Sequence, residues 1–442
     1  MQDNWQSLSA SDLGRAIGAG RIDPVTLAEA VLDAAGAHPA CDRIFTMLTP
    51  ARARAEAEAA AIRARTGVRH GLLDGVPVSW KDVFDTAGLP TEAGSLLLQG
   101  RVPSEDAEVL ARATRTGLVC MGKTHMTELA FSGLGLNPNT ATPPNVNDPA
   151  LVPGGSSSGA AASVAFGLAA AGIGSDTGGS VRLPAAYNDL VGLKTTHGRL
   201  SLRGVVPLAE SFDTVGPLTR TVEDAARLLA VMEGTHPPDL AGASLDGCRF
   251  LVLAPYAGDV REGPGAAFHA ALERLGRAGA RFDTGRVPAI EEAMETTTML
   301  FTGEAYGTWG EVIEAAPEKM FDHIRDRFRQ GRKVSAQAFV AGWRHLRWLR
   351  QDWSAATAGY DAVLLPTAAN LPANAGQLMT DDDYFITENL LTLRNTRVGN
   401  LMGLCAVTLP TGTPSTGLMI LCPPMAEAHL LRLSAAAERA LA

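Results

Sequence analysis

Short runs of buried-type residues alternate along the chain with longer segments of helical period. Leu118–Met121, Val191–Lys194, Arg249–Leu253, Ala280–Asp283, Asp361–Pro366, Ala406–Pro410 and Leu418–Leu421 are β-rich runs bounded by turn residues, and each predicts a strand. Leu73–Val83 predicts a turn and then another short strand, and Gly122-Lys123-Thr124 reads as a turn after its strand. Helical spacing marks 105–116, Ser180–Leu190, Thr221–Gly234, Gly265–Gly279, Asn389–Gly403 and Glu427–Leu441, and residues 288–357 are mostly helical. Near the start, Ser9 or Ser11 can cap a helix through Gly18. Asp23-Pro24 opens another helix to about Ala37, and Ala51–Thr66 forms a third. Residues 1–70 therefore read as a helical collar. Strands alternating with helices predict a layered α/β protein built on a sheet. No repeat or low-complexity linker divides the chain, and Pro237–Gly247 reads as a loop, so residues 1–442 are expected to form a single domain.

One stretch breaks this rhythm. Residues 153–182 read PGGSSSGAAASVAFGLAAAGIGSDTGGSVR. Glycine–serine clusters lie at both ends, Gly154–Gly159 and Gly178–Ser180, and the connector between them is small or apolar. A tightly packed helix and strand would bring Ser156 and Ser180 near each other. The glycines leave backbone N–H groups free to face a ligand. This is the candidate active site. The Pro138–Pro153 loop, rich in proline and asparagine, is long enough to line it.

Composition narrows the field. With 46% hydrophobic and 19% charged residues, the chain has the balance of a folded globular enzyme. A net charge of -9, without any run of Lys and Arg, argues against a nucleic-acid partner. The arginine-rich stretch Asp322–Lys333 (Arg325, Arg327, Arg329, Arg332) also holds Asp322 and Asp326, so it predicts a solvated helix face. Five scattered cysteines read as free thiols in a reducing compartment, and no Cys-x-x-Cys or helically spaced histidine pair predicts a metal site. No signal-peptide pattern and no membrane-length apolar run is visible, so a soluble cytoplasmic protein is expected.

Three formal motif matches fail on context. Gly117–Thr124 fits a phosphate-binding loop, but its interior Leu-Val-Cys-Met is a buried strand. Gly155-Ser156-Ser157-Ser158-Gly159 fits a hydrolase elbow, but a polar loop precedes it where a strand is needed. Gly172-Ile173-Gly174 lacks the third glycine of a dinucleotide fingerprint. The surviving constellation is Lys81, Ser156 and Ser180. Ser180 follows glycines whose N–H groups suit an oxyanion hole for acyl transfer. A serine needs a base, and a lysine kept neutral by burial can supply one. Taken alone, Lys81 beside Trp80 reads as a snorkelling surface residue and Ser156 as a turn or helix cap. Their joint pattern overturns both readings.

That pattern resembles the amidase signature family. Its hallmarks stand here as Gly154-Gly155-Ser156-Ser157-Ser158-Gly159 and Gly174-Ser175-Asp176-Thr177-Gly178-Gly179-Ser180-Val181-Arg182-Leu183-Pro184-Ala185. Supporting segments include Gly75-Val76-Pro77 before Lys81-Asp82, Gly122-Lys123-Thr124 before Glu128, Val191-Gly192-Leu193-Lys194 and Asp213-Thr214-Val215-Gly216-Pro217. The resemblance covers nearly the whole chain. It implies the amidase signature fold, with α/β/α layers around a large mixed twisted sheet, and no cofactor. The core would be 71–220, with 285–400 as the variable, pocket-forming region.

The implied activity is hydrolysis of a carboxylic amide or ureido-type C–N bond through a Ser–cisSer–Lys triad. Ser180 would be the nucleophile. Ser156, in a cis peptide with Gly155, would relay the proton to Lys81. Thr177, Gly178, Gly179 and Ser180 would supply oxyanion N–H groups. Ser157, Asp176 and Arg182 would hold the loop, and Ala130, Phe131 and Ser132 would line the substrate pocket, with residues near Met299–Tyr306 and Asn389–Arg397. Arg394 and Arg397 read as helix charges pairing with acids or, alternatively, as ligands of a substrate carboxylate. The partner implied is a small amide, with no nucleic acid and no membrane, and dimers are common among relatives. Two rival readings are the glutaminase component of an aminoacyl-tRNA amidotransferase, for which the chain looks short, and a catalytically silent binding homologue, which the intact Lys81, Ser156 and Ser180 argue against. Ser158, Asp189, Thr195, His125 and Thr127 depart from the usual pattern, and none belongs to the triad.

Overall fold

Apolar strand runs that are buried along their whole length require cover on both faces. The computed structural model, which describes residues 5–442, has many of them. Its strands are β1 (Phe45–Leu48), β2 (Pro77–Lys81), β3 (Val119–Thr124), β4 (Ala171–Ser175), β5 (Val191–Lys194), β6 (Val215–Thr219), β7 (Arg249–Ala254), β8 (Arg281–Arg286), β9 (Ala362–Pro366), β10 (Cys405–Pro410) and β11 (Gly417–Cys422). Every residue of β2, β3, β4, β5, β6, β9 and β11 is buried, so helices close both sides of the sheet. The strands form one sheet in the order β1-β3-β2-β4-β6-β5-β10-β11-β9-β7-β8. β3, β2 and β4 run parallel, as do β9, β7 and β8, and the pairs between those blocks are antiparallel. The mixed sheet is the predicted α/β architecture.

Caps and breakers set several helix ends where the sequence places them. Ser9 caps Ala10–Gly18, Asp23 caps Pro24–Ala37, and Thr221 caps Val222–Glu233, which ends on left-handed Gly234. Four expectations need correction. The collar region contains β1, whose short mixed run carries no strand signal. β6 escapes a sequence reading because Gly216 and Pro217 are breakers by composition, yet it pairs with β4 and β5. Gly122-Lys123-Thr124 is not a turn, because β1 and β2 pair with it on either side. The helix expected over Asn389–Gly403 is split into Asp382–Arg394 and Arg397–Leu401. Between them, the Asn395 side-chain amide donates to the carbonyls of Tyr256 (3.1 Å) and Pro366 (2.8 Å), which ties the break to β9.

The centre of the sheet is drawn tight against one helix, Ser158–Ala165, whose residues 158–164 are all buried. Strand alternation puts Ser79 and Lys81 of β2 on one face. Ser79 Oγ lies 2.7 Å from Ser163 Oγ on that helix. Small residues permit the approach. A Cβ added to Gly172 of β4 would stand 2.8 Å from the Ala160 carbonyl oxygen. Gly172→Val is therefore expected to lower stability by about 1–3 kcal/mol, as overpacking does. The urea-unfolding midpoint measures it, and an unchanged midpoint would show that this contact can relax.

Candidate active site

The carboxyl ends of parallel strands are where open α/β sheets gather functional groups, because the chain leaves the sheet there in loops. Lys81 is the last residue of β2 and Ser175 the last of its parallel neighbour β4. The Lys81 Nζ donates to Ser156 Oγ at 2.7 Å and to Ser175 Oγ at 2.8 Å. Lys81 and Ser156 are completely buried. Burial lowers the Lys81 amine to about 7, against the opposing pull of the Asp213 and Asp176 carboxylates. At neutral pH much of it therefore carries a lone pair instead of a charge. The peptide bond joining Gly155 to Ser156 is cis. Ser157 N–H donates to the Ser180 carbonyl at 3.2 Å, which joins the two glycine–serine clusters.

Asp176 organises the second cluster. Its carboxylate accepts the backbone N–H groups of Gly179 (2.9 Å) and Val181 (3.2 Å), and Asn400 Nδ2 at 3.0 Å. Arg182 grips it through Nε (3.0 Å) and Nη2 (2.9 Å), and both side chains are fully buried. Burial alone would raise this carboxyl, but the Arg182 guanidinium holds it well below the usual carboxylate range. Arg182 also donates to the Thr396 carbonyl and to Asn400 Oδ1, while Thr396 Oγ1 donates to the Gly178 carbonyl. Thr177 Oγ1 donates to Asp213, whose carboxylate also accepts Leu208 N–H. Gly179 sits at φ 136°, and a Cβ there would lie 2.7 Å from Thr396 Cβ. Only glycine suits that position. Among the described residues, the N–H groups of Thr177, Gly178 and Ser180 have no protein acceptor. Gly179 differs from the expectation: its N–H is committed to Asp176 and does not join that free set.

Ser180, Thr177 and Gly178 open into a cavity of about 820 Å³. Ala130, Phe131 and Ser132 line it, as do Phe301, Thr302, Asn389 and Leu393 from the regions expected to contribute. Ser132 Oγ donates to Asn389 Oδ1 at 3.0 Å, so two distant parts of the chain meet at this wall. Leu129 and Ala130 hold left-handed backbone (φ 43° and 60°), which is uncommon for residues with a side chain.

The Amidase family profile matches residues 26–431. The chain belongs to the amidase signature family. Similarity to individual members is spread across different activities. The chain is 36% identical over 399 residues to 2-amino-5-chloromuconic acid deaminase of Comamonas testosteroni, covering 88% of this chain and 86% of the relative. It is 34% identical over 481 aligned positions to the A subunit of the glutamyl-tRNA(Gln) amidotransferase of Anaeromyxobacter sp. (strain K), covering 98% and 96%. A solved amidase structure superposes with a TM-score of 0.88 at 31% identity, covering 98% of this chain and all of that one. The fold is thus the amidase signature α/β/α arrangement, and the chain is an amidase, a hydrolase of carbon–nitrogen bonds.

Arg394 is not among the residues that line this amidase's cavity. Its guanidinium pairs with Asp259 at 2.8 Å. Arg397 does line the cavity. Arg327 also lines it, contrary to the solvated face expected of its helix. In Asp322–Arg329 the helical period places Arg327 on the stripe of buried Ile324 and Phe328. Ser175, Asp213 and Asn400 also take part in these contacts, although sequence reasoning does not single them out, whereas Asn389 and Thr396 fall within the stretch expected to contribute. Ser175 and Asp213 stand inside recognisable motifs, and Asn400 comes from a helical region without a motif.

Removing one partner of a fully buried ion pair strands the other, which typically costs about 3–5 kcal/mol. Asp176→Ala is expected to lose about that much stability and to disorder the Ser180 loop. Chemical denaturation checks the first effect, and fluorophosphonate labelling of whatever protein stays folded checks the second. Near-normal values of both would contradict the organising role of Asp176.

Proposed function

We propose that this amidase cleaves its substrate through a Ser180 acyl-enzyme, with Lys81 as the base and Ser156 as the relay. The observation that carries this reading is the 2.7 Å contact between a buried Lys81 amine and Ser156 Oγ, beside a cavity that contains Ser180. A neutral amine can accept through the same contact by which it donates. Ser180 Oγ gives its proton to Ser156 as it attacks the amide carbonyl carbon, and Ser156 gives its own to Lys81 Nζ. The tetrahedral oxyanion is met by backbone N–H groups of Thr177, Gly178 and Ser180, which need not reorganise as the charge develops. Collapse breaks the C–N bond. The departing nitrogen takes a proton from Ser156, which recovers one from Lys81. Water then attacks the ester by the reverse relay, releasing the carboxylic acid and Ser180. Asp213 and Asp176 work through their neighbours: they position Thr177 and the 176–182 loop.

The substrate reading is a small amide. Similarity to a deaminase whose name specifies a muconic acid favours a small organic acid derivative. Similarity to the A subunits of amidotransferases supports a second reading, a glutaminase feeding ammonia to a partner protein. The 481 positions needed to align a chain of 442 residues count against it. Glutaminase activity that appears only with a co-purified tRNA-binding partner would favour the second reading.

Ser180→Ala is expected to abolish both ammonia release from a panel of small amides and labelling by a fluorophosphonate. Ser156→Ala is expected to lower kcat by about 10²–10⁴, the usual worth of positioned proton transfer. Labelling at another residue, or a Ser156→Ala enzyme with near-normal kcat, would refute the relay.

A further inference from the structure

Two arginines face the cavity without an acid to neutralise them. Arg327 donates from Nη1 to the Phe131 carbonyl at 2.8 Å, and its guanidinium carbon sits 4.3 Å above the Phe131 ring. Arg397 has no hydrogen-bond or ion-pair partner for its side chain among the described residues. It follows Thr396, whose hydroxyl holds the Gly178 carbonyl of the Ser180 loop. Arg327 is thus held to the Phe131 wall, and Arg397 extends from the segment that is tied to the Ser180 loop. Burial lowers Arg327 to about 9, with the neighbouring Arg397 charge as a second cause, and burial lowers Arg397 to about 10. Both stay charged at neutral pH, and the Arg397 charge disfavours that of Arg327.

The acids that also line the cavity are engaged elsewhere. Asp322 and Asp326 pair with Arg325, and Asp382 pairs with His323 at 3.2 Å. Their side chains are 75%, 65% and 86% exposed, which places them at the rim. The interior is therefore cationic, in a protein whose net charge is -9. Phe131, Phe301 and Leu393 supply apolar wall in the same cavity as these charges and Ser180. Two like charges set together in a poorly hydrated pocket are destabilising unless an anion joins them. A guanidinium matches a carboxylate in shape and donor geometry.

From this we infer that the cavity takes an amide bearing a free carboxylate, held by Arg327 and Arg397 while Ser180 attacks the amide carbon. This rests on the Ser180 acyl-enzyme reading and narrows it to a substrate class: monoamides of dicarboxylic acids and related acidic amides. Arg327 and Arg397 are specificity determinants that touch substrate away from the reacting atoms.

The test uses the intact enzyme and four acidic amides (malonamate, succinamate, glutaramate and adipamate), each compared with a neutral amide of the same shape. At least one acid is expected to exceed its neutral counterpart in kcat/KM by about 10-fold or more, roughly the worth of charge-assisted hydrogen bonds. Arg397→Gln and Arg327→Gln should each lower that ratio about 10- to 100-fold, chiefly through KM, and Arg397→Lys should restore part of it. Arg394→Gln, which lies outside the cavity, should leave it unchanged. Fluorophosphonate labelling of Ser180 verifies that each variant is folded, with Arg397→Gln as the arm to read if Arg327→Gln is not. No acid preference in an enzyme that still labels, or a preference that survives loss of Arg397, overturns the inference. Absence of labelling in the wild type would instead refute the Ser180 acyl-enzyme reading beneath it.

Discussion

A fully buried lysine amine with no touching carboxylate is the constraint on which the site depends. Lys81 is held by two hydroxyls, Ser156 and Ser175, and its nearest acids act on it only at longer range. Desolvation disfavours an ammonium far more than an amine, so burial itself prepares the base. A carboxylate in direct contact would restore the charge and remove that property. The buried Lys123 on the neighbouring strand differs in contact: Asp82 lies 2.8 Å from its amine and opposes the lowering that burial imposes there too.

Keeping water away from Lys81 dictates the packing around it. The helix Ser158–Ala165 must lie close to β2 and β4, which explains the run of alanine, serine and glycine between the two clusters. The Asp176–Arg182 pair then carries the opposite electrostatic logic. It is buried and fully charged, and it directs its hydrogen bonds into the backbone of the Ser180 loop and the break at Thr396. The same break brings Arg397 to the cavity. Base, oxyanion loop and specificity wall are therefore coupled through a few shared contacts.

Much of this is legible in the sequence, and the reasons for the remainder are particular. The glycine–serine clusters identify Ser156 and Ser180 because several glycines in fixed order have few structural explanations. Lys81 is legible only jointly with them. Ser175 is not, because a serine ending an apolar strand gives no sign of which face it serves. β6 hides behind Gly216-Pro217, whose local preference tertiary pairing overrides. Arg327 is hidden by its neighbours, since acids at 322 and 326 give the segment a solvated look, which the exposed Arg332 fits and the cavity-lining Arg327 does not. Asp189 departs from the family pattern and keeps the left-handed backbone (φ 55°), with its carboxylate bonded to Ser415 N–H and Asn147.

The central claim is that a neutral Lys81 activates Ser180 through Ser156. The rate of fluorophosphonate labelling of Ser180, followed from about pH 5 to about pH 9 in the wild type and in Lys81→Met, tests it most directly. The wild-type rate should rise with pH through a single ionisation near 7, because deprotonation of the amine creates the base. Lys81→Met should label slowly and without that rise. The same pH limb in both proteins would mean that another group is the base.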